Sequence, residues 1–435
     1  MIKLSSLFIN GLFLCLVFFH LSCNNTSSDP LNNDPVLKNI TSSPTKGGNL
    51  IILESESFKN IFPFNIEEEV GYKIICQIHN GLLKLNTSNL KIEPCIAKSW
   101  SVNDEQTKYT FHLRNNVYFH KDTCFKDLNT SKLTAQDVKF SFQLLCKEFY
   151  KSEYFILTQN IVGANDYYSE KSKDIEGIKV IDDTTIVFEL HEAAPSIIYL
   201  FASARSSIIS QLAFENYGEN TTVGTGPFIY KGMNANNDQI ILTKNNRYFL
   251  KDENGLSYPY LDSVSFFINK YNLNADSLFI NDKIMLLQDV TEKKVEELFE
   301  DYHQEFDDKK YLVNRESVLA TNCYEFNTSL APFNNVKVRQ AFSYAINKKS
   351  ILETILNGQG KIGNKGIVPV INSFETYNYD NINGYEYNPK KAKDLLKDAG
   401  YPNGTGFPEV ILELNFGHPT NLEVAKEIQN QLKSI

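Results

Sequence analysis

The chain has 435 residues, 42% of them apolar and 22% charged, with a formal charge of −9 at neutral pH. Such a length exceeds one ordinary core, so two or three domains are expected, and the composition is that of a globular protein. A nucleic-acid surface is disfavoured, because phosphate binding needs clustered Lys and Arg, and here the longest basic clusters are dipeptides such as Lys348–Lys349 and Lys390–Lys391 at helix starts.

Lys3 precedes an apolar run from Leu7 to Phe19, LFINGLFLCLVFF. Its length suits a secretory h-region and falls short of the roughly twenty residues of a membrane span. Residues 1–22 are therefore read as a signal peptide. HLSC follows, with small Ser22 before Cys23, and it resembles the lipobox of bacterial lipoproteins, although His20 stands where an aliphatic residue is usual. The resemblance implies Cys23 as the lipid attachment site; the alternative is an ordinary cleaved leader. From Asn24 to Gly48 the chain is rich in Asn, Ser, Thr, Pro and Asp and poor in large apolar residues. It cannot bury enough surface to offset its ordering entropy, so residues 23–48 read as a lipidated tether. Beyond the leader and Cys23 remain Cys76, Cys95, Cys124, Cys146 and Cys323, an odd set that leaves at least one thiol free and whose pairing is not readable from sequence.

NLIILES is the first strand, and NIFPFNIEEEVGYK reads as a loop carrying Glu67, Glu68 and Glu69. Three adjacent carboxylates are either solvated charges or a site for a cationic group. KIICQIHNGLLKL reads as a short helix ending near Asn80 and Gly81, with a strand behind it. In YTFHLRNNVYFH, Tyr109, Phe111 and Leu113 alternate with Thr110, His112 and Arg114, Asn115–Asn116 supply a turn, and Val117 and Phe119 resume an apolar face. This predicts a hairpin with His112 and His120 at outward or edge positions. A zinc site would need three or four converging ligands, and no CxxC or HxxxH spacing accompanies these histidines or Cys124.

Thr134 and Asp137 form a capping-box start for a helix whose apolar face is Val138, Phe142, Leu145 and Phe149. VGANDYYSEKSKDIEG reads as a polar loop, and IKVIDDTTIVFEL as two strands around Asp182–Asp183. GTGPF, Gly224 to Phe228, lacks the GK[ST] ending of a phosphate loop and reads as a tight turn before FIYKG and QIILTKN. GQGKIG satisfies GxGxxG, but KKSILETILN before it is a helix where a dinucleotide site demands a strand. VKVRQAFSYAI places Val338, Ala341, Phe342 and Ala345 on one side; Ser350 is expected to cap ILETILN. NPKKAKDLLKDAG has Asn388 as cap, Pro389 at the first helical position and Gly400 as stop, and a last helix runs through Leu422, Ala425, Ile428 and Leu432. No GxSxG, HExxH or P-loop pattern occurs, which lowers the expectation of an enzyme.

Several stretches, in order, resemble the family 5 extracytoplasmic solute-binding proteins, the peptide-binding components of ABC importers. They are AKSWSVNDEQTKYTFHLRNNVYFH with LTAQDVKFSF, then IKVIDDTTIVFEL, GTGPF, YEFNTSLAPFNNVKVRQAFSYAIN and YNPKKAKDLLKDAGYPNG. Family members usually run further at the C-terminus, so the second lobe is expected to be incomplete. The resemblance implies an α/β, periplasmic-binding-protein-like (type II) two-lobe fold with an extra domain in the first lobe. Domain I would comprise 49–79 and 211–311, domain II 80–210 and domain III 312–435. Closure of the lobes on a ligand would shift an equilibrium without bond chemistry. In relatives the loop from Asn65 to Gly71 faces the cleft, which makes Glu67, Glu69 and Val70 candidate ligand contacts. Trp100, the sole tryptophan, is expected in the core. The implied function is a lipid-anchored extracytoplasmic protein that captures an oligopeptide or dipeptide and delivers it to an ABC permease and its ATPase subunits. No catalytic residue, metal or cofactor is implied. A nickel complex, haem or an oligosaccharide are alternative solutes, and an exported hydrolase or an adhesive lipoprotein are alternatives of other classes.

Overall fold

The computed structural model describes residues 44–435 apart from 55–57, 88, 148–149, 151–152, 271–272, 289, 291, 309, 315–319, 370–377 and 415–418. The leader, Cys23 and most of the tether lie outside the described residues, as does Phe149.

Strand β1 (Asn49–Glu54) runs into a loop and then helix α1 (Glu69–Ile78). Val70, Ile74 and Ile78 recur at helical spacing and turn one face of α1 inward. The chain then crosses at His79–Gly81 into β2 (Leu83–Leu85) and β3 (Ile92–Pro94), a short antiparallel pair. Next come β4 (Ala97–Val102), β5 (Lys108–Leu113), α2 (Ala135–Leu145), α3 (Tyr154–Asn160), α4 (Ala164–Tyr168), β6 (Ile178–Asp182), β7 (Thr185–Glu189), α5 (Ile197–Leu200) and α6 (Gln211–Tyr217). The second sheet has the order β4-β5-β7-β6 and is antiparallel throughout. The chain returns through β8 (Phe228–Met233), β9 (Gln239–Lys244) and β10 (Ser263–Ile268) to complete the first sheet, β1-β10-β9-β8. There β10 lies parallel to β1, with Asn49 opposite Ser263 and Glu54 opposite Ile268. A parallel pair requires a long crossover, and here that crossover carries the whole second sheet. Helices α7 (Ala275–Ile280), α8 (Glu292–Asp301) and α9 (His303–Asp307) lead to a C-terminal part of α10 (Val336–Ala345), α11 (Lys348–Thr354), α12 (Pro389–Asp398) and α13 (Pro419–Leu432).

Among the described residues, buried apolar side chains form three clusters. The largest belongs to the second sheet and α2, where Phe111, Phe142, Phe188 and Phe201 make edge-to-face and tilted contacts with ring centres 4.8 to 5.7 Å apart. Trp100 packs half-buried against this cluster, as expected for a core residue. The second joins α1 to the first sheet through Val70, Ile74, Ile240 and Phe266, and the third joins α10 to α12 through Val338, Ala341, Ala392 and Leu396.

Local expectations fare well where the signal is local. The β6–β7 hairpin turns at Asp183–Thr184, one residue beyond the expected Asp182–Asp183, and the Asp182 carboxylate at the end of β6 accepts from the Thr184 N–H at 2.7 Å. Asn388 caps α12 by accepting from the Lys391 N–H at 3.0 Å, and Gly400 ends it at a φ of 98°. Asp137 accepts from the Thr134 N–H at 2.9 Å at the start of α2 and from the Gln211 N–H at 3.2 Å, tying α2 to α6.

Four details differ. First, β5 does not pair with the return through Val117–Phe119; both of its edges are filled, by β4 and β7, and the return runs instead against Ser131–Leu133. Alternation identifies a strand but carries no information about its neighbour. Second, His120 is only 2% exposed, and its Nε2–H donates to the Gly226 carbonyl at 3.0 Å, whereas His112 is exposed as expected. Third, VGANDYYSEKSKDIEG contains the short helix α4. Fourth, α11 is capped by Asn347, whose side chain accepts from the Ser350 N–H at 3.1 Å. All five described cysteines are free thiols.

Candidate functional site

In sheets with parallel strands, ligands bind outside the carboxyl ends of those strands. Here that edge is the end of β1 and β10, which meets α1 through Lys73. Glu54, the last residue of β1, is buried, and both of its oxygens lie 3.2 Å from Lys73 Nζ on α1. Burial pushes the Glu54 carboxyl above its ordinary value, while Lys73 holds it down. Lys73 also pairs with Glu69 at 3.1 Å and reaches Gln288 at 3.5 Å.

The acidic run does not lie wholly in a loop: Glu68 is the N-cap of α1, and Glu69 and Val70 are its first residues. Carboxylates there complement the positive end of the helix dipole. Glu67 and Glu69, both named from the sequence, have side chains 79% and 81% exposed and are paired with Lys59 at 3.5 Å and Lys73 at 3.1 Å. Val70 is 4% exposed and packs into the first-sheet core, so its side chain is part of the scaffold. Glu68 is the member that sequence reasoning passed over. Its side chain is 16% exposed and lies 3.6 Å from Lys59, and neither carboxylate oxygen has a hydrogen-bond partner. Nothing in three identical letters distinguishes the middle one; the helix start turns it inward.

Beside this turn is a concavity of about 460 Å³, walled by the acidic run, Tyr72, Glu153, Ser203 and Arg205. Arg205 stands with its guanidinium carbon 6.0 Å from the centre of the Tyr72 ring, a cation–π distance. Ser203 Oγ accepts from the Arg205 N–H at 3.2 Å and so fixes the local backbone. Burial raises the Glu153 carboxyl and Arg205 draws it down.

A larger hollow of about 3330 Å³ is lined mostly by the C-terminal part, with some residues of the preceding units. Thr87, Leu90 and Gln288 border it, as do Asn322, Glu325 and Gln359, the last of which donates to the Val290 carbonyl at 3.2 Å. It also runs along the apolar faces of α10, α12 and α13 at Phe342, Leu396 and Leu432. Gln288 touches Lys73, the partner of Glu69, so the acidic turn lies next to this hollow. Among the described residues no group of three His, Cys, Asp or Glu could hold a metal, and no helix is long and apolar enough to cross a membrane.

Comparison with known proteins places this arrangement. Residues 91–435 match the family model described as bacterial extracellular solute-binding proteins, family 5 Middle. The chain is 29% identical over 343 residues to the heme-binding protein A of Haemophilus influenzae, covering 75% of this chain and 57% of that protein. It is 28% identical over 345 residues to di/tripeptide-binding protein 1 of Pseudomonas aeruginosa, covering 75% of this chain and 58% of that one. The match thus spans less than three fifths of the length of these curated relatives. Among solved structures, the peptide-bound periplasmic binding protein of Helicobacter pylori superposes with a TM-score of 0.67 at 27% identity, over 90% of this chain and 72% of that one. The periplasmic oligopeptide-binding protein of Borrelia burgdorferi gives 0.65 at 26%, over 88% and 73%. The fold is that of type II periplasmic binding proteins, and the chain belongs to the family 5 bacterial extracellular solute-binding proteins.

Proposed function

We propose that this chain captures short peptides outside the cytoplasm and delivers them to the permease and ATPase subunits of an ABC importer, tethered by lipid on Cys23. Domains I (49–79 and 211–311) and II (80–210) form one wall of the binding space and domain III (312–435) the other. The observation that carries this reading is the large hollow lined by Thr87, Leu90 and Gln288 together with Asn322, Glu325 and Gln359, in a chain similar along three quarters of its length to di/tripeptide-binding protein 1 of Pseudomonas aeruginosa. A ligand that touches both walls only when they approach shifts the population toward the closed form. Backbone hydrogen bonds hold an extended peptide without demanding one side chain. Glu67 and Glu69 act at the rim, where solvent screens them, and Val70 contributes only backbone.

Calorimetry with a mixed pool of short peptides tests the reading: saturable heat with no cleavage is expected. Steady cleavage of the pool favours an exported hydrolase instead. A second reading, haem capture, is supported by the similarity to heme-binding protein A. A Soret band acquired on adding haemin, with no heat from peptides, selects it.

A further inference from the structure

The segment from Glu409 to Leu414, EVILEL, lies between α12 and α13 and is exposed along its whole length. Val410, Leu412 and Leu414 are 37%, 44% and 37% exposed, and Ile411, at 86%, is the most exposed large apolar side chain among the described residues. No helix, turn or bend interrupts residues 408–414, so the backbone there is extended. Among the described residues none gives a backbone hydrogen bond to this run or takes one from it. An extended run with an open row of N–H and C=O groups is a template for pairing with another strand. Water can serve those polar groups but not the apolar side chains, which gain roughly 25 cal/mol for each Å² covered.

The order of residues in the run decides what fits it. Glu409 and Glu413 place two acids in it, within a chain of formal charge −9, so an anionic lipid surface is repelled. A second copy of the same run, laid antiparallel, is complementary in one register. With Leu412 opposite Leu412 at a two-fold axis, Val410 stands opposite Leu414 and Ile411 opposite Glu413, so one face of the ribbon is apolar throughout and no acid meets an acid. Sliding the copies by one pair in one direction sets Glu409 against Glu413, and in the other sets Glu413 against itself; like charges directly opposite are destabilising. A slip of a single residue turns the apolar row of one copy toward the row that carries both acids of the other. A two-fold contact of this kind closes at two copies.

We propose that Glu409–Leu414 is a self-association strand, through which two copies of this chain pair antiparallel with Leu412 at the two-fold axis and Val410 of each copy opposite Leu414 of the other. The pairing is independent of which solute the chain captures.

Sedimentation equilibrium on the full chain, from about 1 μM to about 300 μM, brackets the dissociation constant of so small an interface. The wild type is expected to show a reversible monomer–dimer equilibrium. Leu412→Lys sets two cations face to face at the axis and weakens the dimer about tenfold or more. Its melting curve stays that of the wild type, because Leu412 is exposed in the single chain. Cysteine trapping then reads the register, in a Cys323→Ser background that removes the exposed native thiol. Leu412→Cys crosslinks to itself on mild oxidation, above the level of that background, because directly opposite residues lie within disulfide reach. Val410→Cys and Leu414→Cys each fail to crosslink alone, equal positions being roughly 13 Å apart, and crosslink when mixed. A monomer at every concentration overturns the proposal, as does a dimer unmoved by Leu412→Lys. Self-crosslinking of Val410→Cys at the level of Leu412→Cys, or open-ended aggregates in place of a dimer, overturns it too.

Discussion

Acidification should destabilise this protein through His79. The imidazole is fully enclosed beneath the Gly224–Gly226 turn, neither ring nitrogen has a hydrogen-bond partner, and His120 is its titratable neighbour. Burial, with repulsion from His120, pushes its pKa from 6.5 down to about 3. The unfolded chain therefore binds a proton that the folded chain refuses across the window from about 6.5 to 3, and stability falls as pH drops through it. At pH 5 the linkage relation gives a loss of about 2 kcal/mol from this one group relative to neutral pH. His120 acts in the same direction, pushed down to about 4 chiefly by burial. Its Nε2–H donates to Gly226 and its Nδ1 accepts from Gly224 at 3.3 Å, a pattern only the neutral ring can make. Urea unfolding followed by Trp100 emission between pH 5 and 7.5 measures the slope. His79→Leu should lower that slope by about 1 kcal/mol per pH unit, the share of one proton, while leaving His120 to titrate. At pH 7.5 the variant should be no less stable, because it removes a buried unpaired group that costs about 1–3 kcal/mol. Parallel pH profiles for the wild type and His79→Leu would refute the reasoning.

Other consequences are simpler to measure. Gly224→Ala sets a Cβ about 2.0 Å from the Ile78 carbonyl oxygen, an atom of backbone that cannot rotate away, so thermal melting should show a loss of about 1–3 kcal/mol or failure to fold. Phe188→Ala removes a ring that contacts Phe111, Phe142 and Phe201, and denaturant unfolding should report a loss of about 3–5 kcal/mol. Glu67→Gln breaks a pair exposed on both sides, and its melting point should stay within the equivalent of about 1 kcal/mol of wild type. A reductant should leave the melting curve unchanged, since the five described cysteines are free.

The peptide-scale features of this chain were legible in its letters because their causes are peptide-scale. Asn388, Pro389 and Gly400 bound α12 through hydrogen bonds and dihedrals reaching only a few residues, and the Asp182 turn closes β6–β7 in the same way. Composition and the ordered set of motifs determined the family and fold class. What lay beyond the sequence were facts about distant partners. Alternation made Lys108–Leu113 a strand but did not say that β4 and β7 would take both its edges. Two histidines of one apparent hairpin end differently, His112 in solvent and His120 sealed against Gly226, because a turn more than a hundred residues later folds over the second. Glu67, Glu68 and Glu69 are chemically identical in the sequence. Only the point at which α1 begins, set by packing Val70 and Ile74 on the first sheet, turns the middle carboxylate inward and leaves its neighbours exposed to water.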